Sequence, residues 1–193
     1  MIPVKRIRTP KGFDAKTRQP GTAWLAAHPD CKRPKDFWSP FKNHLARGFR
    51  NLCGYAAMLD PTGGTVDHFL SWKNRPDLAY EWTNYRFASE SMNKRKGTAD
   101  DTVLDPFEVG DGWFEIILPS LQLRLTEAVP AAFRAKAEHT LNRLDLRHGE
   151  MVIRWRRQWY VLYKQGKLSL EGLSAVAPLI AAAVRKQLGT STP

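Results

Sequence analysis

Four polar side chains have types and spacing suited to metal-assisted hydrolysis: Asp67, His68, Asn84 and Asn93. Carboxylate and amide oxygens suit hard divalent cations, so Asp67 and the side-chain carbonyl of Asn93 are candidate metal ligands. The imidazole of His68 can deprotonate water as a general base. Asn84 can hydrogen-bond the loop backbone and hold the histidine-bearing strand in place. A cation beside a base suits a phosphodiester substrate, because the metal stabilises charge on the phosphate and on the leaving oxygen.

Local signals predict two short strands and a helix around these residues. The apolar, β-prone start of residues 65 to 68 predicts a strand that ends in the Asp-His dipeptide. Aromatic residues between 80 and 87 predict a second strand around and after Asn84. Ser89 is a favourable N-cap for a helix, and Gly97 fits as its end. The predicted order is strand, long loop, strand and helix, which allows the four polar side chains to converge.

The runs VDHF, WTNYRF and SESMNKRKG resemble the HNH nuclease family, whose core is a ββα-metal motif. In that family the first motif position binds the metal and the second is the general base, which implies these roles for Asp67 and His68. The middle asparagine corresponds to Asn84, and the metal-ligating position on the helix corresponds to Asn93. The resemblance covers residues 53 to 97. It implies a metal-dependent endonuclease that cuts DNA, with Mg²⁺ or Mn²⁺ as its cofactor.

Residues 103 to 109 and 141 to 157 are more loosely similar to HNH nucleases of anti-phage systems of the Septu and retron-associated type. That similarity implies an effector nuclease of anti-phage defence with a companion ATPase subunit as partner. Because one ββα site cuts one strand, double-strand cleavage would need two sites, for example in a homodimer. The alternative is a catalytically inactive HNH-fold subunit that binds nucleic acid or the ATPase.

The sequence departs from the family at two CxxC pairs with which many relatives bind a structural zinc ion. The corresponding positions are Cys53 and Ala56, then Ser89 and Met92, so one of four thiolates remains. A tetrahedral zinc site needs four ligands, and we therefore expect no structural zinc. Packing by larger side chains is expected in its place: Tyr55, Met58 and Met92.

The net charge of +11 is concentrated at the two ends of the chain. Residues 1 to 50 carry 12 Lys and Arg against 3 Asp and Glu, and residues 151 to 193 carry 7 against 1. Basic ends around a nearly neutral core suit a polyanion such as DNA, although a solvated lysine-rich surface explains the same composition. The residues expected to contact nucleic acid lie in or beside the motif: Lys73, Arg86, Lys94, Arg95 and Lys96.

The whole chain predicts an α+β fold in three parts. Residues 1 to 35 form a basic, largely irregular arm with a short helical turn at 22 to 27. Residues 36 to 98 form the nuclease core with a helix before it, and residues 99 to 193 form a β-hairpin and C-terminal helices packed on that core. The hairpin is predicted from alternating apolar residues on either side of Pro119-Ser120.

The C-terminal part is predicted to be helical from Pro130 onwards. Pro178 is expected to kink or break the last helix, which runs from 170 to 188, and residues 190 to 193 are expected to fray. In the run RWRRQWY, residues 154 to 160, helical spacing favours a core position for the tryptophans, while the arginines suit either solvent or phosphate.

Cysteine content and hydropathy predict the compartment. The chain has two cysteines, and its N-terminus, MIPVKRIRTP, lacks the apolar region of a secretory signal. The longest apolar run contains a proline and is too short to span a bilayer. We therefore expect a cytoplasmic protein with free thiols and no membrane partner.

Overall fold

The computed structural model describes residues 1 to 189 and has the predicted α+β character. The α-helices are α1 Gln19–Ala27, α2 Lys42–Gly48, α3 Glu90–Lys96, α4 Ala131–Arg143, α5 Glu150–Lys164, α6 Leu170–Val176 and α7 Pro178–Gln187. The strands are β1 Thr65–His68, β2 Tyr85–Ala88, β3 Phe114–Ile117 and β4 Gln122–Leu125. A π-helical turn covers Asp14–Arg18, and short 3₁₀ helices cover Ser39–Phe41, Pro76–Leu78, Trp82–Asn84 and Asp100–Thr102. The expected fraying of residues 190 to 193 concerns residues outside the described range.

The strand, strand and helix predicted for the motif are all present. Strands β1 and β2 pair antiparallel, with Asp67 opposite Arg86 and His68 opposite Tyr85. Helix α3 follows directly, and the Ser89 hydroxyl accepts a hydrogen bond from an amide of its first turn. Gly97 ends the helix with a φ of 53°, a conformation that glycine adopts without a Cβ clash.

The second sheet and the C-terminal helices follow their predicted order. Strands β3 and β4 form an antiparallel hairpin, with Phe114 opposite Leu125 and Ile116 opposite Leu123. The helix predicted over residues 170 to 188 breaks in front of Pro178, so that α6 and α7 are separate helices. Within residues 1 to 189, no helix is both long and apolar enough to cross a bilayer.

The N-terminal arm is more ordered than predicted. Helical structure runs from Asp14 to Ala27, well beyond the expected turn. Phe13 is fully buried and makes edge-on ring contacts with Trp82 and Tyr85, at centroid distances of 5.3 and 5.9 Å. Burial of a large aromatic side chain is worth about 1.5–3 kcal/mol, and Phe13 shares the work of holding the arm against the core with the buried Met1 and Thr17.

The four positions compared above with the zinc-binding cysteines of HNH nucleases lie in or beside the apolar interior. The Cys53 sulfur accepts a hydrogen bond from the Ala56 amide at 3.5 Å, and burial raises the pKa of this thiol. Cys53 and Met92 are fully buried in the larger apolar cluster of the protein. Tyr55 and Met58 belong to the same cluster, which confirms the packing predicted for these positions.

The RWRRQWY run is mainly structural. Trp155 and Trp159 pack against the larger apolar cluster, as predicted. Arg156 is also buried, and its guanidinium donates hydrogen bonds to the main-chain oxygens of Leu121 and Leu146 at 3.0 and 2.7 Å. Burial lowers the pKa of Arg156 to about 10, so the side chain is still charged at neutral pH. Arg156 therefore ties the hairpin to the end of α4 and does not face a phosphate.

We predict that Arg156→Ala lowers the free energy of unfolding by about 3 kcal/mol or more, because several buried carbonyls lose their donor. Urea denaturation followed by circular dichroism measures this change. Arg157→Ala is the matched control, since its side chain is exposed on the same helix and should cost less than about 0.5 kcal/mol. Equal stability of the two variants would contradict the structural role of Arg156.

Candidate active site

An open cavity of about 300 Å³ lies beside β1 and α3. Three of the four predicted site residues line it: Asp67, His68 and Asn93. Its wall also includes Arg33 and Trp38 from the N-terminal part of the chain, and Ser71 and Trp72 from the loop after β1. The strand and the helix therefore bring together residues that are 26 positions apart in the sequence, on one concave surface.

Asp67 is held from two sides by buried partners. One carboxylate oxygen lies 3.1 Å from Nζ of Lys96, and the other accepts a hydrogen bond of 2.6 Å from the Tyr55 hydroxyl. The Lys96 ammonium also donates to the main-chain oxygen of His68 at 2.9 Å. Burial and the nearby Asp67 charge raise the pKa of Tyr55 well above its usual range, so Tyr55 donates as a neutral phenol. Asp67 and Lys96 are both almost inaccessible to solvent.

The imidazole of His68 is oriented by a main-chain carbonyl and two aromatic rings. Nε2 lies 2.8 Å from the oxygen of Ala79, and because a carbonyl can only accept, Nε2 carries the proton. Trp38 and Tyr85 contact the ring edge-on at centroid distances of 4.7 and 5.1 Å. Nδ1 then carries the free lone pair, with no hydrogen-bond partner among the described residues. Burial lowers the pKa of His68, so the neutral form that can accept a proton dominates at pH 7.

Asn84 holds the loop between β1 and β2 and does not line the cavity. Its side-chain oxygen accepts from the amide of Leu70 at 2.8 Å. Its amide nitrogen donates to the carbonyls of Leu70 and Leu78 at 2.9 and 3.2 Å. This is the type of backbone contact predicted for Asn84, and it fixes the chain directly after His68.

Asp67 and Asn93 line the cavity with a carboxylate and an amide, and the Asp67 side chain is only 1% exposed. The Asn93 amide nitrogen donates to the Val66 carbonyl at 3.4 Å, and no described residue contacts its side-chain oxygen through a hydrogen bond. Each oxygen of the Asp67 carboxylate keeps a second lone pair beside its present partner. No cluster of three or more His, Cys, Asp or Glu side chains occurs in the described part of the chain. The donor set fits a cation such as Mg²⁺, which uses one or two carboxylates and keeps several waters.

Two of the residues predicted to contact nucleic acid, Arg86 and Lys96, are buried and already have partners inside the protein. Lys96 is occupied by Asp67 and the His68 carbonyl, as described above. Arg86 forms a two-bond pair with the Asp105 carboxylate, both at 2.6 Å, and its guanidinium lies 4.1 Å from the centre of the Phe107 ring. A buried charge requires such a partner, and the buried Arg86 on β2 finds it in the Asp105 carboxylate.

The other three predicted contact residues are on the surface. Lys73 is exposed, with its ammonium 5.8 Å from the centre of the Trp72 ring. Lys94 is exposed and forms an ion pair with Glu90 one turn earlier on α3. Arg95 is half-buried and pairs with Asp145 at 3.0 Å. Of these, Lys73 and Lys94 are the more accessible to a phosphate backbone.

Some residues in or behind the cavity were not predicted in their observed places. Lys96 does not line the cavity, and its burial was not predicted, although its spacing of three residues from Asn93 places both on one face of a helix. Arg33 and Trp38 carry no comparable signal, because they reach the cavity through the tertiary packing of the arm. Tyr55 was predicted to pack, but its hydroxyl contact with Asp67 was not predicted.

Comparison with known proteins identifies no relative of the chain. No protein-family model matches the sequence. No curated protein matches it either. The likeness to HNH nucleases therefore remains a resemblance carried by the motif residues and their spacing.

We predict that Lys96→Met lowers the free energy of unfolding by about 3–5 kcal/mol, because it leaves the Asp67 carboxylate buried without a cation. Adding Asp67→Asn to Lys96→Met should recover part of that loss, so the double variant loses less than the sum of the single variants. Denaturant unfolding of all four proteins measures the coupling.

The matched control is Lys94→Met, on the same helix but 76% exposed and paired with an exposed glutamate. It should change the free energy of unfolding by less than about 0.5 kcal/mol. Strict additivity of the Asp67 and Lys96 substitutions would contradict a direct stabilising pair.

Proposed function

We propose that the chain is a metal-dependent HNH-type endonuclease that hydrolyses phosphodiester bonds of DNA. The observation that carries the proposal is the presence of Asp67, His68 and Asn93 in the wall of one open cavity. They lie on a strand–strand–helix unit in the order expected for a ββα-metal core. An unrelated polar hairpin has no reason to present a carboxylate, a neutral imidazole and an unpaired amide oxygen to the same concave surface.

In the proposed reaction His68 takes a proton from the attacking water at Nδ1. Its ring is held for that role by the Nε2 hydrogen bond to Ala79, and burial keeps it neutral until the proton arrives. Asp67 and the side-chain oxygen of Asn93 would hold a divalent cation, Mg²⁺ or Mn²⁺, which stabilises negative charge on the phosphate and the leaving oxygen. Tyr55 fixes the orientation of the Asp67 carboxylate from behind.

A second candidate function is a catalytically inactive HNH-fold subunit that binds nucleic acid or an ATPase. One observation favours it: each oxygen of the Asp67 carboxylate already has a protein partner, and the Lys96 ammonium neutralises its charge. Such a network is satisfied without a metal ion. This candidate predicts DNA binding without cleavage in Mg²⁺, Mn²⁺ or Ni²⁺.

The wider setting of the proposal is anti-phage defence. In such a defence system the chain would be the effector nuclease, and a companion ATPase would control cutting. A homodimer would supply the two active sites needed to cut both DNA strands. The looser likeness of residues 103 to 109 and 141 to 157 to Septu and retron-associated nucleases supports this setting. Co-purification of the chain with an ATPase encoded beside it, followed by size-exclusion chromatography, tests both partnerships.

We predict that the wild-type protein nicks supercoiled plasmid DNA in Mg²⁺ or Mn²⁺ and that EDTA stops the reaction. His68→Ala should lower the cleavage rate by about 10²–10⁴-fold, because the general base is removed. His68→Gln keeps a donor that can reach the Ala79 carbonyl but has no basic nitrogen, and it should lose cleavage to the same extent. Plasmid nicking measured by gel electrophoresis, with DNA binding and circular dichroism in parallel, checks this result.

His148→Ala is the matched control, because His148 is an exposed histidine far along the chain from the motif. It should cleave at the wild-type rate. Undiminished cleavage by both His68 variants would refute the role of His68. Absence of cleavage by the wild-type protein with every divalent cation, together with retained DNA binding, would favour the inactive subunit.

A further inference from the structure

Arg33 is a cavity-lining residue that lies outside the HNH motif. It comes from the N-terminal arm, 34 positions before Asp67, and lines the same cavity as Asp67, His68 and Asn93. Its side chain is exposed and has no hydrogen bond or ion pair with any described residue. Its guanidinium, with five N–H donors, is therefore available to a ligand.

The backbone that carries Arg33 is fixed even though its side chain is free. Pro34 is buried directly after it, and the Tyr80 hydroxyl donates to the carbonyl of Lys35 at 2.8 Å. The Asp36 carboxylate accepts hydrogen bonds from the amides of Trp38 and Ser39 at 3.2 and 2.9 Å. These contacts hold Arg33 at the cavity wall, which reduces the entropy lost when its guanidinium binds an anion.

Charge balance in the cavity favours an anionic ligand. Lys96 balances the charge of Asp67, and Arg33 is a further cationic side chain of the wall without an acidic partner among the described residues. A negatively charged phosphate group suits this positive charge, and a guanidinium binds two phosphate oxygens through parallel hydrogen bonds.

We propose that Arg33 binds the nonbridging oxygens of the DNA phosphate that enters the cavity, as a substrate-binding residue supplied by the arm. The catalytic effect of Arg33 rests on the proposed nuclease function. The phosphate contact itself requires neither a metal ion nor cleavage. Arg33 then has two effects: it holds the phosphate next to Nδ1 of His68, and it stabilises the charge that develops on the phosphate during hydrolysis.

The first test measures binding alone, in EDTA, with a fluorescein-labelled 20-base-pair duplex and fluorescence anisotropy across a range of salt concentrations. Arg33→Ala should weaken binding and lower the slope of log affinity against log salt by about 0.9, the value for one lost phosphate contact. The matched control is Lys32→Ala, because Lys32 is exposed, adjacent and basic but does not line the cavity. Its slope should remain that of the wild type.

The second test separates kcat from KM with the same duplex and Mn²⁺. Arg33→Ala should lower kcat at saturating DNA by about 10²-fold, because a donor to the developing charge is lost. Arg33→Lys should fall between Arg33→Ala and the wild type, since an ammonium keeps the charge without the two-bond geometry. Lys32→Ala should leave kcat within twofold of the wild type.

The proposal is overturned if Arg33→Ala keeps the wild-type salt slope, or if Lys32→Ala lowers the slope by the same amount. It is also overturned if the wild type cuts DNA and Arg33→Ala retains its kcat. Failure of the wild type to cut DNA rejects the proposed nuclease function only, and the salt slope in EDTA then decides the role of Arg33. A smaller slope for Arg33→Ala alone supports the phosphate contact in either case.

Discussion

The buried ion pair between Lys96 and Asp67 determines how the strand and the helix of the site fit together. The Lys96 ammonium contacts the Asp67 carboxylate at 3.1 Å and the main-chain oxygen of His68 at 2.9 Å. One side chain of α3 therefore binds two neighbouring residues at the end of β1. Charges removed from water cost several kcal/mol unless they are paired and hydrogen-bonded. A shift of helix α3 along β1 would separate the two buried charges and incur that cost. Asn93, one turn earlier on the helix, is held at the cavity as a consequence.

The same pair controls which ligands the cavity attracts. Because Lys96 cancels the charge of Asp67, the protein alone offers a divalent cation little electrostatic attraction. A phosphate that binds beside Arg33 would change this balance by adding negative charge and oxygen ligands. Cation and DNA would then bind cooperatively, in agreement with the usual dependence of Mg²⁺ sites on substrate phosphates. With the charge of Asp67 balanced by Lys96, the proposed site would bind a metal ion weakly in the absence of DNA.

Local sequence signals are sufficient to predict the strand–strand–helix unit but not to predict which charged residues are buried inside it. Ser89 and Gly97 set the ends of α3 through contacts with their own neighbours, which is why a single sequence predicts them. Arg86 instead pairs with Asp105, 19 residues away, and Lys96 reaches the carbonyl of a residue 28 positions earlier. In the sequence both resemble solvated basic residues beside a motif. Their burial depends on which elements pack together, and that information is not local.

The N-terminal arm links the cavity to the folding of the whole domain, because it packs on the core and also contributes cavity residues. Its basic, proline-containing sequence is typical of an irregular segment, yet the burial of Phe13 among the aromatic rings next to β2 anchors it. The core that supports His68 thus also carries Arg33 to the same cavity. Polar groups that reach solvent can bind water, so a missing protein partner leaves them available to a ligand. Here Nδ1 of His68, the side-chain oxygen of Asn93 and the Arg33 guanidinium have no hydrogen-bond partner among the described residues, and all three residues line one cavity. A donor, a basic nitrogen and an amide oxygen that are all available on one concave surface are the groups that the proposed phosphate and cation would use.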